Sequence, residues 1–169
     1  YVFDGNSDIP YTEADTADPI SRYGASKLLG ENGIITSGCK YIILRTSWAF
    51  SEYGKNFLKS MLNLAKSENN LKIVNDQIGC PTYMHDVASV LLNIIYNSKI
   101  REEDAGIYHF CGYPETTWYK FANRIFEKAI DYNFPAPSNI EPINTVDLKV
   151  KAKRPKFSSL DCSKIELRF

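Results

Sequence analysis

The amino-acid sequence predicts an α/β fold with parallel strands. Short apolar runs typical of strands, at 41–46, 71–74 and 106–110, alternate with segments whose apolar residues recur at helical spacing. The run at 41–46 is rich in β-branched residues, which is typical of a strand covered on both faces. Because strands that alternate with helices usually pair in parallel, the pattern indicates an α/β architecture. The 169 residues are enough for one domain with a sizeable core.

Four helices are expected around these strands. Asp18 and Pro19 offer a cap and a first-turn proline for the first helix. Asn56 is expected to cap the second helix, Asp86 to open the third and Thr117 to cap the fourth. The inward-facing residues of the first helix are expected to be Ala25, Leu28, Leu29 and Ile35.

Composition narrows the function classes. Hydrophobic residues make up 44% and charged residues 24%, so a disordered or low-complexity chain is excluded. Twenty basic and twenty acidic residues cancel, which argues against a nucleic-acid partner. No apolar run approaches the roughly 20 residues of a membrane span, so no membrane partner is expected.

The two ends of the sequence have different characters. The chain begins at Tyr1, and residues 1–5 read as the end of a strand that runs into a turn, so we expect the second half of a longer protein. The stretch from residue 131 holds four prolines among charged residues. Such a composition predicts short elements that wrap the surface.

The four cysteines, Cys39, Cys80, Cys111 and Cys162, are 31 to 51 residues apart and form no CxxC pair. With only two histidines in the chain, this spacing predicts ordinary buried thiols and no metal site. Reduced thiols favour a cytoplasmic location.

Tyr23 and Lys27 are the first candidates for chemistry. Their spacing of four residues places a phenol and an ammonium on one helix face, about one turn apart. A nearby cation favours the ionised form of a phenol, which makes the phenol a usable proton donor to a carbonyl. The pattern Y-x-x-x-K alone also fits an ordinary surface pair, so the surrounding motifs decide its meaning.

Several motifs together resemble the extended short-chain dehydrogenase/reductases, and more narrowly the dTDP-4-dehydrorhamnose reductase family. The resemblance runs over essentially all 169 residues and keeps the order and spacing of the motifs. The matching segments are YVFDG at 1–5, PYTE at 10–13, YGASK at 23–27, LRTSW at 44–48, GKNF at 54–57, DQIGCPT at 76–82, RP at 154–155 and SLD at 159–161.

The resemblance implies the C-terminal part of a Rossmann-like extended short-chain dehydrogenase/reductase fold plus its small substrate-binding domain. The catalytic helix and remaining Rossmann strands would occupy about 1–75, and the sugar-nucleotide portion about 76–169. A G-x-x-G-x-x-G dinucleotide loop appears nowhere in the sequence. NADPH or NADH would therefore be bound mostly by an N-terminal half that this chain lacks.

The implied reaction is NAD(P)H-dependent reduction of the C4 keto group of dTDP-4-dehydro-L-rhamnose. Tyr23 would give a proton to the C4 oxygen, and Lys27 would hold the nicotinamide ribose and assist the phenol. Thr46 and Ser47 would lie near the nicotinamide. The residues expected on the nucleotide-sugar side are Phe3, Trp48, Asn56, Phe57, Gln77, Pro81 and Thr82.

Two other functions remain open. Another nucleotide-sugar epimerase or dehydratase of the superfamily would keep the same tyrosine and lysine. A non-catalytic regulatory subunit would reuse the fold as a binding module. The loop at 49–51, Ala-Phe-Ser, departs from the aromatic-glycine pair that is common in the family. The resemblance also implies a homodimer, with a nucleotide sugar as the small-molecule partner.

Overall fold

The computed structural model describes residues 1–97, 101–148 and 152–169. The α-helices are α1 (Arg22–Thr36), α2 (Phe57–Leu64), α3 (Met84–Asn97), α4 (Trp118–Asp131) and α5 (Ser163–Arg168). The strands are β1 (Ile42–Arg45), β2 (Ala49–Phe50), β3 (Asn70–Val74), β4 (Ile78–Gly79), β5 (Thr82–Tyr83), β6 (Gly106–His109), β7 (Thr116–Thr117) and β8 (Asn139–Ile143).

Parallel pairing dominates the sheets, which confirms the α/β prediction. Within the described residues, β1 pairs with β6, β2 with β5 and β3 with β8, all in parallel. The short strands β4 and β7 pair antiparallel. Each pair joins strands that are distant in sequence, so the ladders hold the two halves of the chain together.

The helix starts test the capping predictions directly. Asn56 and Thr117 are the N-caps of α2 and α4, as predicted. Each side chain accepts a hydrogen bond from the backbone N–H three residues later in the sequence. The predicted start of α1 at Asp18 is wrong, because the Ser21 hydroxyl accepts the Gly24 N–H and fixes the start there. The third helix opens at Met84, and Asp86 lies in its first turn rather than before it.

The largest core lies between α2, α4 and β3. Met61 of α2 and its C-cap residue Ala65 pack with three residues of α4 and with the buried side chains of β3. The α4 residues are Ala122, Ile125 and Phe126. The strongly amphipathic faces of the two helices, each started by a side-chain cap, place these residues inward. This half of the molecule therefore follows its hydrophobic pattern closely.

The apolar face predicted for α1 is only partly its buried face, because Leu28 packs against a core cluster whereas Ala25 is exposed. Leu29 is exposed, and Ile35 is also largely accessible to solvent. The residues that α1 buries are Gly24 and Glu31, which lie against the start of the chain and against β1. Strand β1 is correspondingly half-buried along its length, and the prediction of a strand covered on both faces is wrong.

The C-terminal stretch does more than wrap the surface. Residues 139–143 form β8, which pairs with β3 over all five positions. Phe157 is buried with Val2, Phe3 and Tyr11 in a second core cluster. The C-terminal segment therefore supplies core residues, which corrects the expectation of a surface wrap.

The thiols also differ from the prediction. All four cysteines are free, but only Cys80 is buried. Cys39 is exposed in the turn after α1, where its thiol contacts the Ser37 hydroxyl. Cys111 and Cys162 are partly buried and lie next to each other. Among the described residues, none of the helices has the length and apolarity that crossing a membrane requires.

Candidate functional site

A cavity of about 430 Å³ opens between the start of the chain, the first turns of α1 and the end of β1. Its volume falls within the range of small-molecule sites. The cavity is lined by Tyr1, Val2, Phe3, Tyr23, Lys27, Glu31, Leu44, Arg45, Thr46, Ser47, Trp48, Ala49, Pro155, Phe157, Ser158 and Leu160. Six of the eleven predicted site residues are among them: Phe3, Tyr23, Lys27, Thr46, Ser47 and Trp48.

The first turn of α1 brings Tyr23 and Lys27 to the cavity. Gly24 makes this placement possible, because a Cβ at that position would lie 2.1 Å from the Tyr1 carbonyl oxygen. The helix therefore approaches the backbone at the start of the chain more closely than any other residue would permit. Tyr23 and Lys27, one turn apart on this helix, line the cavity as a result.

The phenol and the ammonium are neighbours, as their spacing predicts. Lys27 Nζ lies 5.4 Å from the centre of the Tyr23 ring. The Tyr1 ring meets the Tyr23 ring edge to face at 6.4 Å. Tyr23 is 60% exposed, so its hydroxyl is accessible to a ligand that enters from solvent.

Thr46 and Ser47 follow β1 directly and line the cavity floor. The Thr46 Oγ1 and Ser47 Oγ atoms are buried, and neither has a hydrogen-bond partner within the described part of the chain. An unsatisfied buried hydroxyl costs free energy, so such groups usually have a partner. Two adjacent unpartnered hydroxyls in one cavity indicate a position where a polar ligand is held.

Trp48 lies where the chain turns out of β1. Its φ of 38° is in the left-handed region, which is uncommon for a bulky residue and is often found at functional sites. The indole stacks on Trp118, with ring centres 3.5 Å apart, and a Cβ on Gly79 would lie 2.5 Å from it. Trp48 is therefore fixed by packing, and one face of its ring is already covered.

Phe3 contributes a second aromatic wall. Its ring stacks on Tyr11 with centres 4.2 Å apart, and the Arg45 guanidinium lies 5.2 Å from its centre. Phe3 is 5% exposed, so it supports the cavity more than it presents a free surface.

A buried ion pair in the cavity wall was not predicted from the sequence. The Glu31 carboxylate on α1 binds the Arg45 guanidinium on β1 through three contacts of 2.6–3.2 Å. Both side chains are about nine-tenths buried. The continued four-residue spacing of Tyr23, Lys27 and Glu31 was the signal in the sequence, because it places all three on one helix face.

His109, at the end of β6, lies against this ion pair. Its Nδ1 lies 3.0 Å from the Tyr11 carbonyl oxygen and its Nε2 lies 3.4 Å from the Arg45 guanidinium. A carbonyl accepts and a guanidinium donates, so the contacts fit a neutral ring with its proton on Nδ1. Burial is the main cause that lowers the pKa of His109, which agrees with the neutral form.

The remaining predicted residues do not line this cavity, and their side chains are engaged within the fold. Gln77 accepts the Trp118 indole N–H and donates to Thr145 Oγ1. Thr82 Oγ1 donates to the Cys80 carbonyl and accepts the Gly112 N–H. Their assignment to the nucleotide-sugar side stays a prediction.

The other three predicted residues have similarly local surroundings. The Asn56 amide donates to the carbonyls of Ser51 and Tyr53, besides capping α2. Phe57 packs on Trp118 with ring centres 4.4 Å apart. Pro81 lies in the short connection between β4 and β5. Their contact with a nucleotide sugar likewise stays a prediction.

Comparison with known proteins shows that the chain is similar to several dTDP-4-dehydrorhamnose reductases. The curated dTDP-4-dehydrorhamnose reductase of Aggregatibacter actinomycetemcomitans is 47% identical over the whole chain, which spans 58% of that relative. The crystal structure of a dTDP-4-dehydrorhamnose reductase from Clostridium acetobutylicum matches 99% of the chain at 39% identity and a TM-score of 0.87. That of the Bacillus anthracis reductase, in complex with NADP, matches 98% at 36% identity, also with a TM-score of 0.87.

These matches identify the family of the chain and show how much of each relative the chain covers. The chain spans 56% of each of the two crystallised proteins, so it corresponds to slightly more than half of its relatives. The family profile described as the RmlD substrate binding domain matches residues 1–169. The chain therefore belongs to the RmlD substrate-binding-domain family, with the fold of the extended short-chain dehydrogenase/reductases.

Proposed function

We propose that this chain forms the substrate-reducing part of a dTDP-4-dehydrorhamnose reductase. The reaction is the reduction of the C4 keto group of dTDP-4-dehydro-L-rhamnose to dTDP-L-rhamnose with NADPH or NADH. The names of relatives at 36–47% identity support this reaction. The observation that carries the proposal is that one cavity joins the Tyr23–Lys27 pair to the two unpartnered hydroxyls after β1.

The residues present fit a nicotinamide cofactor. Thr46 and Ser47 offer buried hydroxyls that can donate to or accept from an amide or a ribose. Lys27 offers an ammonium at the same cavity, suited to ribose hydroxyls. When bound, the cofactor supplies the hydride that reduces the carbonyl carbon.

Tyr23 is the proposed proton donor. As the carbonyl carbon is reduced, negative charge develops on its oxygen, and the Tyr23 hydroxyl gives that oxygen a proton. Lys27, 5.4 Å from the ring centre, stabilises the negative charge that remains on the phenol. The exposure of Tyr23 lets it reach a substrate without rearrangement of α1.

The sugar nucleotide is proposed to bind against the Trp48 indole, with Phe3 supporting the same wall of the cavity. Trp118 covers one face of Trp48, so the proposed contact uses the rest of the indole that faces the cavity. We retain Asn56, Phe57, Gln77, Pro81 and Thr82 as proposed residues of the nucleotide side. Their hydrogen bonds and close packing within the fold predict that they stabilise the shape of the binding site.

The rest of the cofactor site is proposed to lie outside these 169 residues. The sequence contains no G-x-x-G-x-x-G loop, which is the usual means of holding a pyrophosphate at a helix N-terminus. The proposed division at about residue 75 distinguishes two functional parts, but it does not separate two structural units. Strand β1 pairs with β6 across it, and β3 pairs with β8. Assembly into a homodimer remains part of the proposal.

The test is Tyr23→Phe in the full-length enzyme, with NADPH oxidation measured on dTDP-4-dehydro-L-rhamnose. The variant keeps the ring and its contact with Tyr1 but lacks the hydroxyl. General acid catalysis is worth roughly 10²–10⁴-fold, so kcat should fall by about that factor with little change in KM.

The matched control is Tyr132→Phe, which removes the hydroxyl of an exposed tyrosine outside the cavity and should leave kcat unchanged. Near wild-type turnover by Tyr23→Phe would reject Tyr23 as the proton donor, whereas a wild-type enzyme that binds the sugar nucleotide without turnover would favour a non-catalytic binding module.

A further inference from the structure

Two cysteines that are far apart in sequence meet at the edge of the cavity wall. Cys111 follows β6, and Cys162 is the N-cap residue of α5, 51 residues later. Their sulfur atoms are 3.8 Å apart and both residues are partly buried. A disulfide needs about 2.05 Å between the sulfurs, so a modest rotation of the two side chains would close the gap.

The hydrogen bonds around the pair make the two thiols unequal. The Cys111 N–H donates to Cys162 Sγ at 3.3 Å. The contact with the Cys111 thiol, together with this N–H, lowers the pKa of Cys162, whereas the contact with Cys162 raises the pKa of Cys111. Because the thiolate is the nucleophile in disulfide exchange, Cys162 is the attacking residue and Cys111 the resolving one.

A third thiol lies beside this pair but is shielded. Cys80 is 4% exposed, and its Sγ lies 3.5 Å from the Ser159 hydroxyl. The neighbouring Cys111 thiol lowers the pKa of Cys80 to about 7. Burial keeps an external reagent away from Cys80, so the reactive pair is the more accessible one. No metal-binding group of His, Cys, Asp and Glu side chains exists among the described residues.

We propose that Cys111 and Cys162 form a reversible disulfide by exchange with a low-molecular-weight disulfide. The Cys162 thiolate attacks one sulfur of the small disulfide, whose S–S bond breaks and releases one small thiolate. The Cys111 thiolate then attacks the Cys162 sulfur of the mixed disulfide and releases the second. The protein loses two hydrogens and is oxidised, while the small disulfide is reduced to two thiols.

The bond would act on the wall of the cavity. Cys111 Sγ lies 3.5 Å from the Leu160 carbonyl oxygen, and Leu160, Ser158 and Phe157 line the cavity. Oxidation removes the thiol proton that Leu160 accepts and ties the chain at Cys162 to the end of β6. The modification would therefore fix the C-terminal wall of the cavity to the β1–β6 pair.

The experiment treats the natively folded Cys39→Ser protein with oxidised glutathione and maps its peptides without reduction. Cys39→Ser removes the exposed thiol that would react on its own. Each remaining cysteine falls in a different tryptic peptide, with Cys111 in 102–120 and Cys162 in 157–164. We expect these two peptides to be joined, with the loss of two hydrogens and of two of the three thiols that remain within residues 1–169, and to separate with dithiothreitol.

Two further variants assign the roles. Cys80→Ser in the same background should still form the bond. Cys111→Ser should stop at a glutathione adduct on Cys162, because the resolving thiol is gone. A Cys80–Cys111 bridge, a stable adduct with Cys111 intact, or three free thiols after treatment would each overturn the proposal. The mapping of Cys39→Ser decides the matter alone if a further variant fails to fold.

Discussion

The hydroxyls of Thr46 and Ser47, which line the cavity, differ in their hydrogen bonding from the polar groups of Gln77 and Thr82, which lie outside it. The sequence assigned all four to a binding site, and all four carry buried polar atoms. The hydroxyls after β1 have no partners within the described residues, whereas Gln77 and Thr82 each make two hydrogen bonds inside the fold. A buried polar group that is already hydrogen-bonded within the fold stabilises the wall of the site, whereas one without a partner is available to bind a ligand.

The largest change in stability is expected in the cavity wall. Glu31→Gln removes the charge that neutralises the buried Arg45 guanidinium. Breaking one partner of a buried pair typically costs about 3–5 kcal/mol, and the free energy of unfolding from urea titration should fall by that order. Glu141→Gln, which breaks the exposed pair with Lys72, is the control and should cost at most about 1 kcal/mol. An equally small effect of Glu31→Gln would show that α1 is held in place by other contacts.

A smaller loss is expected where the polar groups are satisfied. Gln77→Leu leaves the Trp118 indole N–H without its acceptor. An unsatisfied buried donor costs about 1–3 kcal/mol, so the urea midpoint should drop while KM for the nucleotide sugar stays near wild type. Trp118→Phe removes the donor itself, so the double variant should lose less than the sum of the single losses. A raised KM without loss of stability would instead place Gln77 at the ligand.

The features of the fold that the sequence predicts well depend on residues close together in the chain. Asn56 and Thr117 cap their helices because a cap depends on residues within one turn. Strand β8 was missed because five residues that include Pro142 carry little strand signal until β3 is beside them.

The parts of the site that sequence reasoning missed depend on long-range contacts. The Glu31–Arg45 pair and the meeting of Cys111 with Cys162 join residues that only the fold brings together. By contrast, the Tyr23–Lys27 pair could be predicted from spacing alone, because both residues lie on one helix. The unpartnered state of the Thr46 and Ser47 hydroxyls could not, because it depends on everything that surrounds them.

The pH dependence of stability should depend on His109. Burial lowers its pKa in the fold below the unfolded value of about 6.5. The unfolded chain therefore binds a proton first, and the contribution to stability present above about pH 6.5 is lost as the pH falls below it. Urea titrations between neutral and mildly acidic pH should show this loss in the wild type and a flatter profile in His109→Gln. Identical profiles would mean that the ring is not held neutral.

The most direct test compares Ser47→Ala with Thr82→Val in the full-length enzyme, by urea unfolding and by KM for NADPH. Ser47→Ala removes an unpartnered buried hydroxyl, so the free energy of unfolding should stay at the wild-type value or rise slightly. Its KM for NADPH should rise severalfold. Thr82→Val leaves the Gly112 N–H without a partner and should cost about 1–3 kcal/mol, with KM unchanged. Ser47→Ala with unchanged KM and a stability loss as large as that of Thr82→Val would contradict the assignment of the cavity to the cofactor.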